Sequence, residues 1–423
     1  MIDLLIISDD LTGAIETGAQ FSKKGVPTII TIDVNIDFTL LPSNIRVVVI
    51  DTESRYIDGG IAASIIRDIC DNAKKVGVRN IYKKTDSTLR GNIGSELDAL
   101  MEKQDHNPLC FVPAYPKLKR YTRKGYQYVE DNLLQNSIIA ANPVYPITVS
   151  FVPDLLRKQT KIKTKVIPLK YLGKEKVFKA KNKRILIFDT ETTSDLRNIG
   201  QLLKDNDALH LVAGSAGFAE LLPELLQLRG ETMPYIKNDR PVLLVNGSLN
   251  RISYEQTEFA CVNGYHQMYV PQDILINKKD IPSDAVANFI NELLKKAKEG
   301  KNIALQTIKT RSLLHSYMTQ TGVKKGVVDI IHERAAINVA RLTRLAMESK
   351  MFGNIVVIGN DTTRQIMGSL NIKELFPRTE IIPGLCYSNI NGDFSDVIFI
   401  EKPGGFGEID VIMKLTNYLT TVK

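Results

Sequence analysis

The chain has 423 residues, 43% of them hydrophobic and 24% charged, with a formal net charge of +8. That length suggests two or three domains with room for full-sized cores. No apolar run approaches the roughly 20 residues a membrane helix needs, and no basic-then-apolar leader precedes the first strand. A soluble, cytoplasmic protein with no membrane partner is expected. The four cysteines, Cys70, Cys110, Cys261 and Cys386, form no CxxC pair, so neither a zinc nor a redox centre is expected and metal ligands stay unassigned. The basic balance suits nucleic acid or an anionic small substrate. The lysine-rich run over 158–183 has no interleaved aromatic platform, so it reads as solvated surface and no nucleic-acid partner is expected.

Short apolar runs alternate with helical patterns from the start. Strands are predicted at "DLLIIS", "PTIIT", "IRVVVID", "RNIYKK" and "PLCFVPA", with helices over 13–24, 59–76 and 92–104. Prolines at 116, 143, 146, 153 and 168 interrupt the pattern over 114–183, where a loop-rich insertion or hairpin is expected. The rhythm returns with "RILIFDT", a helix from about Asp195, "ALHLVAG" and a helix over 215–229. A polar segment, "RGETMPYIKNDRP" at 229–241, marks a boundary. Beyond it come "VLLVNG", a helix over 252–263, "NIALQT", a long helix over 328–350, "NIVVIGN", a helix over 362–370, and "DVIFIEKPGGFG" running into a last helix. Val- and Ile-rich strands alternating with helices predict two tandem α/β domains, with mostly parallel sheets flanked by helices.

In open parallel sheets, ligands bind beyond the carboxyl ends of the strands. In the first half those ends carry "SDDLTGA", "DTESR", "KKTDSTLRGN" and "PAYPKLKRYT". They supply Asp9, Asp10, Arg55, Lys83, Lys84, Asp86, Arg90 and Arg120. Arginine grips a carboxylate bidentately and aspartate accepts from hydroxyls, so this set suits a polyhydroxylated acid. A helix cap at Asp10 or Thr12 and a surface ion pair at Arg55 are the plainer readings. In the second half the ends are "VNGSLNRIS", "VIGNDTT" and "EKPGGFGEID". Glycine lets backbone N–H groups approach an anion, and a following helix start favours negative charge. None matches the Walker A pattern or the dinucleotide fingerprint.

Taken together, "DDLTGA" at 9–14, "KTDSTLRGNIGSEL" at 84–97, "PAYPKLKRYTRKGYQYV", "AGSAGFA" at 213–219, "NGSLNRISYEQ" and "EIIPG" at 380–384 resemble the four-carbon acid sugar kinase family, formerly a domain of unknown function. The resemblance covers nearly the whole chain. It implies a sugar-acid-binding domain over 1–230 and a nucleotide-binding domain over 241–423. It implies ATP-dependent phosphorylation of threonate, erythronate or a 2-oxo-tetronate. Carried over, the nucleotide contacts are Ser248, Gly359, Asn360, Asp361, Thr362, Gly404 and Gly405. Asp9, Arg55, Lys84, Arg90 and Arg120 would bind the acid, and Asp10 and Asp86 are the two candidates for orienting the attacking hydroxyl. Mg²⁺ is expected with the ATP.

The chain departs from the family where Gly-Gly-Glu-Thr becomes Gly359-Asn360-Asp361-Thr362. It departs again where Lys-Ser-Gly-Asn-Phe-Gly becomes Lys402-Pro403-Gly404-Gly405-Phe406-Gly407, and Lys119 stands where a glycine commonly precedes the arginine. These changes keep two rivals in view: a sugar-acid sensor without catalysis, and an oxidoreductase acting on the same acids. The sequence assigns no oligomeric state and leaves a homodimer open.

Overall fold

The structure, a computed structural model, describes residues 2–102, 108–141, 146–172, 178, 184–232, 237–276, 283–307, 325–382 and 385–421. The chain divides into two compact units, Met1–Thr232 and Met233–Lys423.

The first unit is built on eight parallel strands: β1 (Leu4–Ser8), β2 (Thr28–Thr31), β3 (Val47–Asp51), β4 (Ile81–Lys84), β5 (Leu109–Val112), β9 (Lys163–Ile167), β10 (Arg184–Phe188) and β11 (Leu211–Gly214). Their spatial order is β2-β3-β1-β4-β11-β5-β10-β9. Every residue of β1, β3 and β4 is buried, as expected for strands covered by helices on both faces. The helices α1 (Leu11–Ser22), α2 (Gly59–Lys75) and α3 (Ile93–Glu102) follow β1, β3 and β4. The chain leaves β1 toward β2 and leaves β4 toward β5, on opposite sides. The switch in direction falls between the adjacent strands β1 and β4, where a crevice opens in such sheets.

The proline-rich insertion holds a three-stranded antiparallel sheet: β6 (Arg120–Arg123), β7 (Tyr126–Val129) and β8 (Asn132–Leu133). The helix expected over 215–229 is two short ones, Ala216–Ala219 and Leu222–Leu225. Pro223 stands in the first turn of the second, and proline has no N–H with which to bond back and continue the first.

The second unit orders its strands β13-β14-β12-β15-β18-β17-β16. These are β12 (Val242–Asn246), β13 (His266–Tyr269), β14 (Ile303–Gln306), β15 (Asn354–Ile358), β16 (Glu374–Ile382), β17 (Leu385–Ile390) and β18 (Ile398–Lys402). The first five in that order are parallel, and β17 runs antiparallel to β16 and β18. Sequence reading missed the β16–β17 pair. Pro377 and Pro383 interrupt its alternation, and the family-like Pro383-Gly384 pair lies outside the described residues. Here the switch falls between β12 and β15. Among the described residues, no helix is long and apolar enough to cross a membrane.

Candidate functional site

The turn after β1 shows why two aspartates stand together. Arg55, just past β3, lies across both: its Nε is 2.7 Å from Asp9 Oδ2 and its Nη1 is 2.7 Å from Asp10 Oδ2. Arg55 and Asp9 are buried, with side chains 7% and 2% exposed. One guanidinium thus bridges two carboxylates and offsets the mutual repulsion that would otherwise oppose folding. Asp10 does a second job. Its Oδ1 accepts from the Gly13 backbone N–H at 3.0 Å and caps α1, so the helix-cap reading and the cluster reading of Asp10 are both correct descriptions.

The loop after β4 adds a parallel construction. Arg90 grips Asp86 with two hydrogen bonds, Nε to Oδ2 at 2.5 Å and Nη2 to Oδ1 at 3.0 Å. Burial pushes the Asp86 carboxyl up, but the Arg90 and Arg55 cations outweigh it and hold the group well below the usual carboxylate range. Asp9 is lowered in the same way, burial being outweighed by Arg55 and Lys83. Arg120, at the start of β6, donates through Nη1 to Ser87 Oγ.

Three groups here have open hydrogen-bonding capacity. Asp9 Oδ1 and Arg120 Nε are buried without a partner. Lys84 is buried at the end of β4, and its ammonium makes no hydrogen bond or ion pair among the described residues. Its ammonium rests against the first turn of α1: a Cβ built on Gly13 would stand 2.5 Å from Lys84 Nζ and 2.6 Å from Asp10 Oδ1. Glycine at 13 is therefore what lets a lysine and an aspartate meet over the helix start. Beside the cluster lies a cavity of about 370 Å³ whose lining includes Arg55, Tyr56, Arg90, Asn92, Lys158 and Gln159.

Seven of the eight residues named from the strand ends thus converge at one edge of the first sheet: Asp9, Asp10, Arg55, Lys84, Asp86, Arg90 and Arg120. Lys83 does not join them. Neighbours on a strand face opposite ways, and Lys83 is buried beneath the turn, 3.2 Å from Glu96 Oε2 on α3. Sequence reading passed over Glu96, Glu16 and Tyr115. The Tyr115 hydroxyl donates to Glu220 at 2.8 Å and lies 3.2 Å from Glu16. Burial raises the Glu16 carboxyl, opposed by the Lys84 cation. A glutamate one turn past Gly13 on the same helix face was the available signal.

The second unit brings its glycine turns together in the same position. Gly247 follows β12, and a Cβ there would fall 1.9 Å from Thr362 Oγ1. Gly359, at φ 110°, ends β15 and starts the helix Asn360–Ser369. Ser253 Oγ donates to the Gly404 carbonyl at 2.5 Å and accepts from Ser248 Oγ at 3.0 Å. A Cβ on Gly404 would sit 2.6 Å from Ser248 Oγ, and one on Gly405 2.9 Å from Asn250 Nδ2. Gln256, wholly buried, ties down the rest of the last turn by donating to the carbonyls of Phe406, Gly407 and Glu408. Ser248, Gly359, Asn360, Asp361, Thr362, Gly404 and Gly405 therefore line neighbouring strand ends, with Asp361 exposed at the helix start. Sequence reading did not single out Ser253, and it gave Gln256 and Lys402 no role beyond their places in the family-like stretches. Lys402 is buried at the end of β18 and donates to the Pro403 carbonyl at 2.9 Å.

Residues 4–222 match the profile described as a sugar-binding N-terminal domain, and residues 243–412 match that of a nucleotide-binding C-terminal domain. The chain belongs to the four-carbon acid sugar kinase family. Family relatives match it end to end. The D-threonate kinase of Salmonella typhimurium is 25% identical over 431 residues, 98% of each chain. The D-erythronate kinase of Heliobacterium modesticaldum is 27% identical over 444 residues, covering 100% of this chain and 98% of its own. A 3-oxo-tetronate kinase of Salmonella typhimurium is 25% identical over 430 residues, covering 96% of this chain and 97% of its own. The keto acid in that relative's name has its oxo group at carbon 3, where the sequence resemblance names 2-oxo acids. Among solved structures, a Haemophilus influenzae protein shares the fold, with a TM-score of 0.75 at 20% identity, over 98% of this chain and 100% of that one.

Proposed function

We propose that this chain transfers the γ-phosphoryl group of ATP to a hydroxyl of a four-carbon sugar acid, a tetronate or a 3-oxo-tetronate. The observation that carries the reading is the buried cluster of the first unit with its three open groups: the Lys84 ammonium, Arg120 Nε and Asp9 Oδ1. Two open cationic donors and one open carboxylate oxygen suit a ligand that is both an anion and a polyol. Lys84 and Arg120 take the carboxylate, and Asp9 accepts from a hydroxyl. Of the two aspartates that could orient the attacking hydroxyl, Asp10 is the better. Asp86 is held in the ionised form by a bidentate arginine and has little tendency to take a proton, whereas Asp10 keeps a lone pair on each oxygen beyond its two bonds.

ATP occupies the second unit, its phosphates over the backbone of 359–362 and 404–405, at the start of the helix Asn360–Ser369. Among the described residues, no group of three or more His, Cys, Asp or Glu could hold a metal by itself. That fits Mg²⁺, which usually keeps its waters and binds through one or two carboxylates plus the phosphates. Asp361 is one acid those loops contribute. The metal would neutralise phosphate charge, which is most of what phosphoryl transfer asks for. The test is a panel of tetronates and 3-oxo-tetronates with ATP and Mg²⁺, read as ADP release. Turnover with one or more acids supports the kinase. Sugar-acid binding without ADP release at any acid points instead to a sensor.

A further inference from the structure

Beneath the Asp9-Asp10 turn lies a chain of buried oxygens that contains more hydrogen bonds than hydroxyl protons. Thr52 Oγ1 is 2.7 Å from the Ser8 carbonyl oxygen and 2.7 Å from Ser54 Oγ, and Ser54 Oγ makes a short contact with Glu96 Oε1. That is three oxygen–oxygen contacts in a row, each needing one proton between its atoms. Thr52 and Ser54 supply one proton each, and a carbonyl supplies none. Whichever way the two hydroxyls turn, one contact is left without a hydrogen if Glu96 is ionised.

We infer that Glu96 is protonated in the folded protein and is a positioning residue for the substrate turn. Its O–H donates to Ser54, Ser54 donates to Thr52, and Thr52 donates to the carbonyl of Ser8, the residue that precedes Asp9. All four side chains are buried, and low exposure favours the neutral acid. Lys83 remains beside the other oxygen, with Nζ 3.2 Å from Glu96 Oε2 and 3.1 Å from the Lys84 carbonyl. With Glu96 neutral, the Lys83 charge is left to act on Asp9, whose ion pair is with Arg55. The Ser8 carbonyl is held twice, by Thr52 Oγ1 and by the Thr52 backbone N–H at 2.9 Å. Ser8 Oγ in turn donates to the Asp10 carbonyl at 2.9 Å. The proton on Glu96 thus orders the turn that carries both aspartates.

The positioning role rests on the reading of that turn as the sugar-acid site, but the protonation does not. Glutamine at 96 mimics the protonated acid, with an amide N–H in place of the O–H. An infrared difference spectrum of wild type against Glu96→Gln should show a protonated-carboxyl band that shifts in D₂O. Glu96→Gln should keep the melting temperature and, by calorimetry with D-threonate and no nucleotide, keep affinity within about fivefold, the worth of one neutral hydrogen bond. Glu96→Ala should lower both, affinity by about tenfold or more, because it leaves buried partners unsatisfied. Absence of the band overturns the inference, as does a Glu96→Gln variant that melts as low as Glu96→Ala. If D-threonate does not bind wild type at all, the sugar-acid reading fails, and the band and melting temperatures still decide the protonation.

Discussion

Arg55 shows how a single side chain changes the meaning of its neighbours. Two adjacent aspartates look like a cap and a solvated charge until a buried guanidinium is placed across them. The variant Asp10→Asn separates the two roles of that position. Asparagine caps a helix about as well as aspartate, so the helix should survive. Turnover with the sugar acid should fall by about 100-fold, the low end of general-base effects. Steady-state kinetics beside a thermal melt checks this, and full activity would remove Asp10 from the reaction. Lys402 supplies a test by pH. Burial pushes its ammonium down to about 8 from the ordinary 10.5, against the pull of Glu401. Between those values the unfolded chain holds the proton more fully, so stability rises with pH there and is lost as pH falls through about 8. Lys402→Met should remove that rise. Melting curves over about pH 8 to 10 should be flatter than those of wild type, and parallel curves would contradict the shift.

At the scale of elements, the second unit depends on turns that only glycine fits. The Gly404 position lies close under Ser248 Oγ, and a Cβ there would approach to 2.6 Å. Ligand at 100 times its Kd stabilises by about 2.7 kcal/mol, so ATP with Mg²⁺ should raise the melting temperature of wild type. Gly404→Val should abolish that shift by displacing Ser248 and closing the backbone to phosphate. A shift left intact would move the phosphate site away from this turn. In the first unit, α1 carries a comparable constraint at Gly13, where a methyl group would push on Lys84 and Asp10 together.

The whole molecule carries a net charge of +8, and both of its ligands are anions. Each unit collects its polar groups at the carboxyl ends of strands around a switch in direction, and the residues proposed for the two sites do not overlap. The Gly404→Val variant therefore predicts a second result. The melting shift given by a sugar acid alone should survive in it, because the residues proposed to bind that acid all lie within Met1–Thr232. Differential scanning fluorimetry with each ligand separately checks the point. Loss of both shifts would mean that the substitution unfolds the protein or that the two ligands share a site.

The sequence by itself determined the fold class and the order of most elements. Runs such as Leu4–Ser8 and Asn354–Ile358 are apolar and β-branched, bounded by turn residues, and such signals are local. It also marked the strand ends that carry chemistry, because charge, hydroxyl and glycine clusters break an apolar pattern within a few residues. Elements whose signal was mixed were lost: β16 contains Pro377, and the region after Ser215 is split by Pro223. Only the tertiary structure decided which charges meet. Arg55 and Asp9 lie 46 positions apart and Ser54 and Glu96 lie 42 apart. Strand order alone brings them together. Lys83 and Lys84 are the sharpest case. They are the same residue type at adjacent positions, and the alternation of a strand sends one into a buried network under the turn and the other to the open edge of the site.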